Sequence, residues 1–130
     1  MKSYWDSSAL VQTYLDGELQ KRLIQEGAIT RTHSLAEIFA TFTGRADIRM
    51  PANDAAAAIA GLLQYLEFVD LGATEASHAF RKAQSLGVRG GRVHDYLHAL
   101  AAEKAGAKKL LTLDKNDFTG LVAGMKVEQL

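Results

Sequence analysis

The chain has 130 residues, fifteen basic and fifteen acidic, so its formal net charge is zero and bulk electrostatics names no partner. Its 48% apolar and 23% charged residues are the composition of one globular domain, residues 1–130, and exclude a disordered chain. With no cysteine there are no disulfides, thiol nucleophiles or thiolate metal sites, a usage that fits a reducing cytoplasm.

The opening MKSYWDSSAL has an acid at position 6 and no apolar core, unlike a signal peptide. The most apolar run, AAAAIAGLLQYL at 55–66, falls short of the roughly 18 residues of a membrane span. A soluble cytoplasmic protein is expected. Strand-like runs then occur at 2–5, 28–32, 66–71, 109–113 and 125–129. Helical periodicity fills the intervals at 8–16, 18–26, 34–44, 53–65, 74–86 and 92–105, with a short turn after 115. Ser34, Asn53 and Thr74 stand where N-caps are expected, and Gly27, Gly87 and Gly106 where helices end. Strands alternating with helices predict an α/β domain on a mostly parallel sheet of about five strands.

That architecture places the acids. Asp6 follows the first strand-like run and Asp114 a late one, and in a parallel sheet both ends lie on the one edge where ligands bind. In helix 34–44 the core stripe reads Leu35, Ile38, Phe39 and Phe42, with Glu37 opposite. In helix 92–105 it reads Val93, Leu97, Leu100 and Ala101, with Asp95 opposite beside Ala99 and Ala102. Between Ala76 and His94 there is no acid, while Arg81, Lys82, Arg89 and Arg92 lie there; Lys108, Lys109 and Lys115 follow. These are either a solvated face or a rim that attracts phosphate around an acidic centre. Tyr4, Trp5, Tyr14, Phe39, Phe42 and Phe68 read as core or interface.

Several of these residues have a plainer reading. Ser34-x-x-Glu37 also fits a capping box, and Asp6 or Asp114 alone fits an N-cap after a strand. His94-Asp95-x-x-His98 has the spacing of a zinc hydrolase motif, two imidazoles on one helical face. It lacks a third ligand, since His33 and His78 lie upstream with no matching extension. His98 is better read as a packed or hydrogen-bonded histidine.

Four segments, Asp6-Ser7-Ser8, Ser34-Leu-Ala-Glu37, His94-Asp95-Tyr-Leu-His-Ala and Leu-Leu-Thr112-Leu-Asp114-Lys-Asn-Asp117-Phe, resemble in order the signature segments of PIN-domain ribonucleases. The resemblance spans the chain and is strongest to the small VapC toxins of prokaryotic toxin–antitoxin pairs. It implies a three-layer α/β/α sandwich and Mg²⁺- or Mn²⁺-dependent cleavage of structured RNA, transfer RNA being the family's expectation. It implies Asp6 and Asp95 as chief metal ligands, Glu37 and Asp114 completing the catalytic acids, and Asp117 as the competing candidate for the last place. Ser7 and Thr112 would orient carboxylates or metal-bound water. Arg89, Arg92, His94 and Lys115 would meet the RNA. The implied partners are a VapB-like antitoxin, contacting helix 8–16 or 53–65, and a second copy of the chain. A PIN-like domain that binds nucleic acid or protein without cutting is the alternative. Two carboxylates about 4 Å apart repel by roughly 4 kcal/mol at an effective dielectric near 20, so without metal one should hold its proton at a raised pKa.

Overall fold

Alternation along very short strands decides which residues face which layer. In the computed structural model, which describes residues 2–130, strand β1 is Tyr4–Trp5, β2 Ala28–Thr30, β3 Leu66–Phe68, β4 Lys109–Thr112 and β5 Lys126–Gln129. All four pairings are parallel, and the spatial order is β3-β2-β1-β4-β5. The register sets Tyr4 beside Leu110 and Trp5 beside Leu111. Tyr4 and Leu110 face one core with Tyr96, Ala99, Ala102 and Phe118. Trp5 and Leu111 face the other with Leu10, Leu23, Ile38 and Phe42. The expected three-layer α/β/α sandwich is borne out.

Helices α1 (Ser7–Leu15), α2 (Gly17–Glu26), α3 (His33–Gly44) and α4 (Ala52–Leu62) cover the Trp5 face. Helices α5 (Ala73–Phe80) and α6 (Arg92–Lys104) cover the Tyr4 face. Asp16 closes α1 and caps α2, its Oδ1 accepting from the Glu18 and Leu19 amides at 3.0 and 3.2 Å. Gly27 ends α2 at φ +68°, and a Cβ there would lie 3.3 Å from the Tyr65 carbonyl, so glycine makes the turn into β2. Among the described residues no helix is long and apolar enough to cross a membrane.

Several local expectations fail for identifiable reasons. The 74–86 helix stops at Phe80, and the chain turns through Gln84–Leu86 so that Val88, 7% exposed, folds back into the core. The 53–65 helix tightens into a 3-10 turn at Leu63–Tyr65. Asn53 and Thr74 lie inside their helices, whose caps are Pro51 and Gly72. Ser34 also lies inside α3, fully buried, its hydroxyl 2.7 Å from that of Thr30. Phe39 is exposed; Ile38 and Phe42 carry that face. The buried face of α6 is Tyr96, His98, Ala99, Ala101 and Ala102, while Leu97 and Leu100 are only half-buried. Small alanines let the helix lie close on the sheet, and that proximity outweighs the larger side chains.

Candidate active site

Parallel topology carries five acids to one edge. In the order β3-β2-β1-β4-β5 the chain reverses direction across the sheet between β1 and β4, the position where α/β sheets open a crevice. Asp6 leaves β1 there and Asp114 follows β4. The second turn of α3, after β2, carries Glu37, and the first turn of α6, which leads back to β4, carries Asp95.

Asp6 is 5% exposed and tightly held. Its Oδ1 accepts from the Ala9 amide at 2.9 Å, the N-cap bond of α1, and from the Ser8 hydroxyl at 2.6 Å. Ser8 Oγ also accepts from the Leu113 amide at 3.1 Å and lies 3.4 Å from Thr112 Oγ1. Thus the plain cap reading of Asp6 is correct as far as it goes, and the bond uses one carboxylate oxygen. The sequence points to Ser7 as the orienting hydroxyl; the hydroxyl bonded to Asp6 is that of Ser8, with Thr112 behind it.

Asp95 is pushed up to about 6, first by burial and then by the charge of Asp117, with Asp6 adding and His98 and Arg92 opposing. Asp117 is also raised, by burial and by Asp114 and Asp6. The expected raised carboxyl is present, but desolvation outranks repulsion, and its chief charged neighbour is Asp117. Asp114 is exposed and acts as N-cap of the turn Lys115–Phe118, its Oδ1 3.0 Å from the Asn116 amide. Asp117, from the same turn, is the acid whose field reaches Asp95.

Glu37 does not close a capping box. Its Oε1 lies 3.0 Å from His98 Nε2, and the other ring nitrogen of His98 lies 2.7 Å from the Tyr4 hydroxyl. Burial pushes the Glu37 carboxyl up, but the His98 bond and the charges of His98, His33 and Arg31 outweigh it and hold it below its ordinary value. With both His98 nitrogens taken, and His94 stacked on His33 at 5.8 Å and 7°, the two imidazoles of the zinc-like spacing do not form a zinc pair.

Among the described residues no three His, Cys, Asp or Glu side chains are grouped closely enough to hold a metal ion between them. The donor set at the edge is entirely oxygen and negatively charged, with the Asp95 and Asp117 carboxyls raised by burial and by like charge. That suits a hard divalent ion, which keeps much of its water and needs only one or two carboxylates. Arg92 stands beside the acids and donates to the Thr119 carbonyl at 2.6 Å; Arg89, His94 and Lys115 are exposed around the same end of the molecule. Away from this edge, an apolar groove of about 340 Å³ runs between α1, α2, α3 and α4, lined by Tyr14, Leu23, Ile24, Phe42, Leu62 and Tyr65 among others.

No protein-family model matches the sequence, and no curated protein does. The three-layer α/β/α architecture has a solved counterpart. A chain in the crystal structure of VapBC2 from Rickettsia felis, bound to a DNA fragment from their promoter, superposes with a TM-score of 0.69. Sequence identity is 16%, over 100% of this chain and 99% of that one, so the likeness is one of fold.

Proposed function

We propose that the chain is a divalent-metal-dependent endoribonuclease of the VapC type, acting on structured RNA such as transfer RNA. The observation that carries this reading is the meeting of Asp6, Asp95 and Asp117 at the reversal point of a parallel sheet, where their mutual field and burial raise two of the three. Such an arrangement is unfavourable in the bare protein and becomes favourable when a cation binds. Asp6 and Asp95 are the principal ligands, with Asp117 beside them and Glu37 and Asp114 completing the acidic rim. Ser8 and Thr112 fix the Asp6 carboxylate. A bound Mg²⁺ or Mn²⁺ supplies a water of lowered pKa and stabilises charge developing on a phosphodiester. Arg89, Arg92, His94 and Lys115 attract the RNA backbone, and the open edge admits a polymer.

A VapB-like antitoxin belongs to the same reading. The groove between α1 and α4 exposes Tyr14 at 54% and Ile24 at 49%, an apolar surface suited to side chains of a partner segment. The homodimer has a separate apolar surface available at Phe80 and Leu86, 47% and 38% exposed.

The test is incubation of the purified chain with structured RNA in Mn²⁺, Mg²⁺ or EDTA, beside Asp95→Asn. Metal-dependent products that the variant does not make are expected. Products insensitive to EDTA, or none across a panel of RNAs, would overturn the reading in favour of a PIN-like domain that binds without cutting.

A further inference from the structure

A polar chain runs through the core from Tyr4 to Glu37, and only its Glu37 end figures in the scheme above. Tyr4, 0% exposed on β1, meets His98 edge-on, ring centroids 5.7 Å apart at 69°. His98 is 2% exposed, on a face of α6 otherwise made of Tyr96, Ala99, Ala101 and Ala102. An imidazole there is costly unless both nitrogens have partners, and both do: the Tyr4 hydroxyl at 2.7 Å and Glu37 Oε1 at 3.0 Å. Of the three side chains only that of Glu37, 24% exposed, meets solvent appreciably.

The proton arrangement follows from the partners. The Glu37 carboxylate can only accept, so the ring nitrogen that meets it, Nε2, carries a proton and donates to it, while the Tyr4 hydroxyl pairs with Nδ1. Glu37 needs such an anchor more than its neighbours do. Asp6 has a short side chain already fixed by Ser8 and Ala9, whereas Glu37 reaches from α3 through three rotatable bonds.

We propose that His98, held at Nδ1 by the Tyr4 hydroxyl and donating from Nε2 to one oxygen of Glu37, is a positioning residue that presents the other oxygen to the divalent cation of the acidic edge. The proposal rests on the nuclease reading above. Tyr4 and His98 touch neither RNA nor metal, yet both control how much metal the site requires.

Three variants test it: Tyr4→Phe, which keeps the ring; His98→Gln, which keeps an N–H donor near the Nε2 position; and His98→Leu, which keeps neither bond. In the metal-free wild type, ¹H–¹⁵N spectra should show a proton on His98 Nε2 that is slow to exchange with solvent, and Tyr4→Phe should speed that exchange. The Mn²⁺ concentration giving half-maximal cleavage should rise about 10-fold in Tyr4→Phe and up to about 100-fold in His98→Leu, with His98→Gln recovering most of that loss. Should His98→Leu fail to fold, Tyr4→Phe and His98→Gln carry the comparison. A wild-type ring with no proton on Nε2 overturns the proposal. So does an unchanged Mn²⁺ requirement in variants that only lose melting temperature. Those results leave the nuclease reading standing, whereas a wild type that neither binds Mn²⁺ nor cuts overturns both.

Discussion

Two carboxylates in this fold, Glu128 on β5 and Asp95 on α6, meet opposite fates. Glu128 is held down to about 2, chiefly by its bond to Arg22 of α2, with burial opposing and Lys109 at 3.3 Å assisting. Asp95 is pushed up to about 6, by burial first and then by other acids. One carboxylate ties a helix to the edge of the sheet and stabilises the molecule. The other is placed where its charge is unfavourable, among groups of the same sign. A side chain kept in its less comfortable form marks where a fold gives up stability for chemistry.

The sharpest way to break that contrast is to remove the charge at Asp95. Asp95→Asn should lower RNA cleavage more than about 100-fold, since a metal ligand is lost together with its charge. The same variant should melt higher than wild type in EDTA, because the metal-free fold no longer carries a strained carboxylate. Divalent metal should raise the wild-type melting temperature and leave that of the variant nearly unchanged. A variant that cuts as well as wild type would remove Asp95 from the site. Asp117→Asn should cost less, about 10-fold in cleavage, and should let Asp95 titrate lower, as ¹³C NMR of the metal-free carboxyls can read.

At the other pole, Arg22→Met takes away the chief partner of Glu128 and part of a cation–π contact, the guanidinium lying 6.0 Å from the Trp5 ring centre. The expected loss is about 1 kcal/mol, a melting shift of about 3–5 °C, with cleavage unchanged. Were cleavage to fall in step with stability, the two regions would not be the independent poles described here.

Proton linkage joins both regions in one measurement. The folded pKa of Asp95, about 6, lies above its ordinary 3.8, so the native chain binds the extra proton and metal-free stability rises as pH falls through 6. Glu128 is depressed from 4.5 to about 2, so its contribution is complete above 4.5 and is lost as pH falls toward 2. Metal-free stability should therefore peak near pH 4, each limb on the order of 1–2 kcal/mol after allowance for solvent screening. Urea unfolding across the pH range checks this: Asp95→Asn should flatten the upper limb, and Arg22→Met the lower.

What the sequence made legible follows from the range of each interaction. An aspartate directly after an apolar run places itself at a strand end, and parallel topology does the rest, so Asp6 and Asp114 could be located without coordinates. The α/β class was legible for the same reason. Contacts between distant segments were not: His98 and Tyr4 are 94 positions apart, and the only local sign of their bond was an imidazole among alanines. Ser34-x-x-Glu37 misled because a capping pattern is local, whereas Glu37 answers to a partner on another helix. On α6, periodicity favoured the large Leu97 and Leu100, but close packing on the sheet favours Ala99 and Ala102, both 0% exposed. Ser8 was missed in favour of Ser7 by one residue, though the sequence does carry a signal for it. An N-capping aspartate accepts from groups two or three positions on, which singles out Ser8 and Ala9.

The smallest expected effect bears on the least settled choice, between Asp114 and Asp117. Asp114 is exposed and already occupied as a cap, accepting from the Asn116 amide. Its charge is felt at Asp117, and the acids acting on Asp95 are Asp117 and Asp6. Asparagine caps as well as aspartate, so Asp114→Asn should change stability by only a few tenths of a kcal/mol. It should also lower the Asp117 pKa by removing a like charge. Cleavage should then fall only a few-fold, less than in Asp117→Asn, with the two variants compared at one Mn²⁺ concentration. The reverse order would make Asp114 the ligand and reduce Asp117 to a neighbour that tunes it.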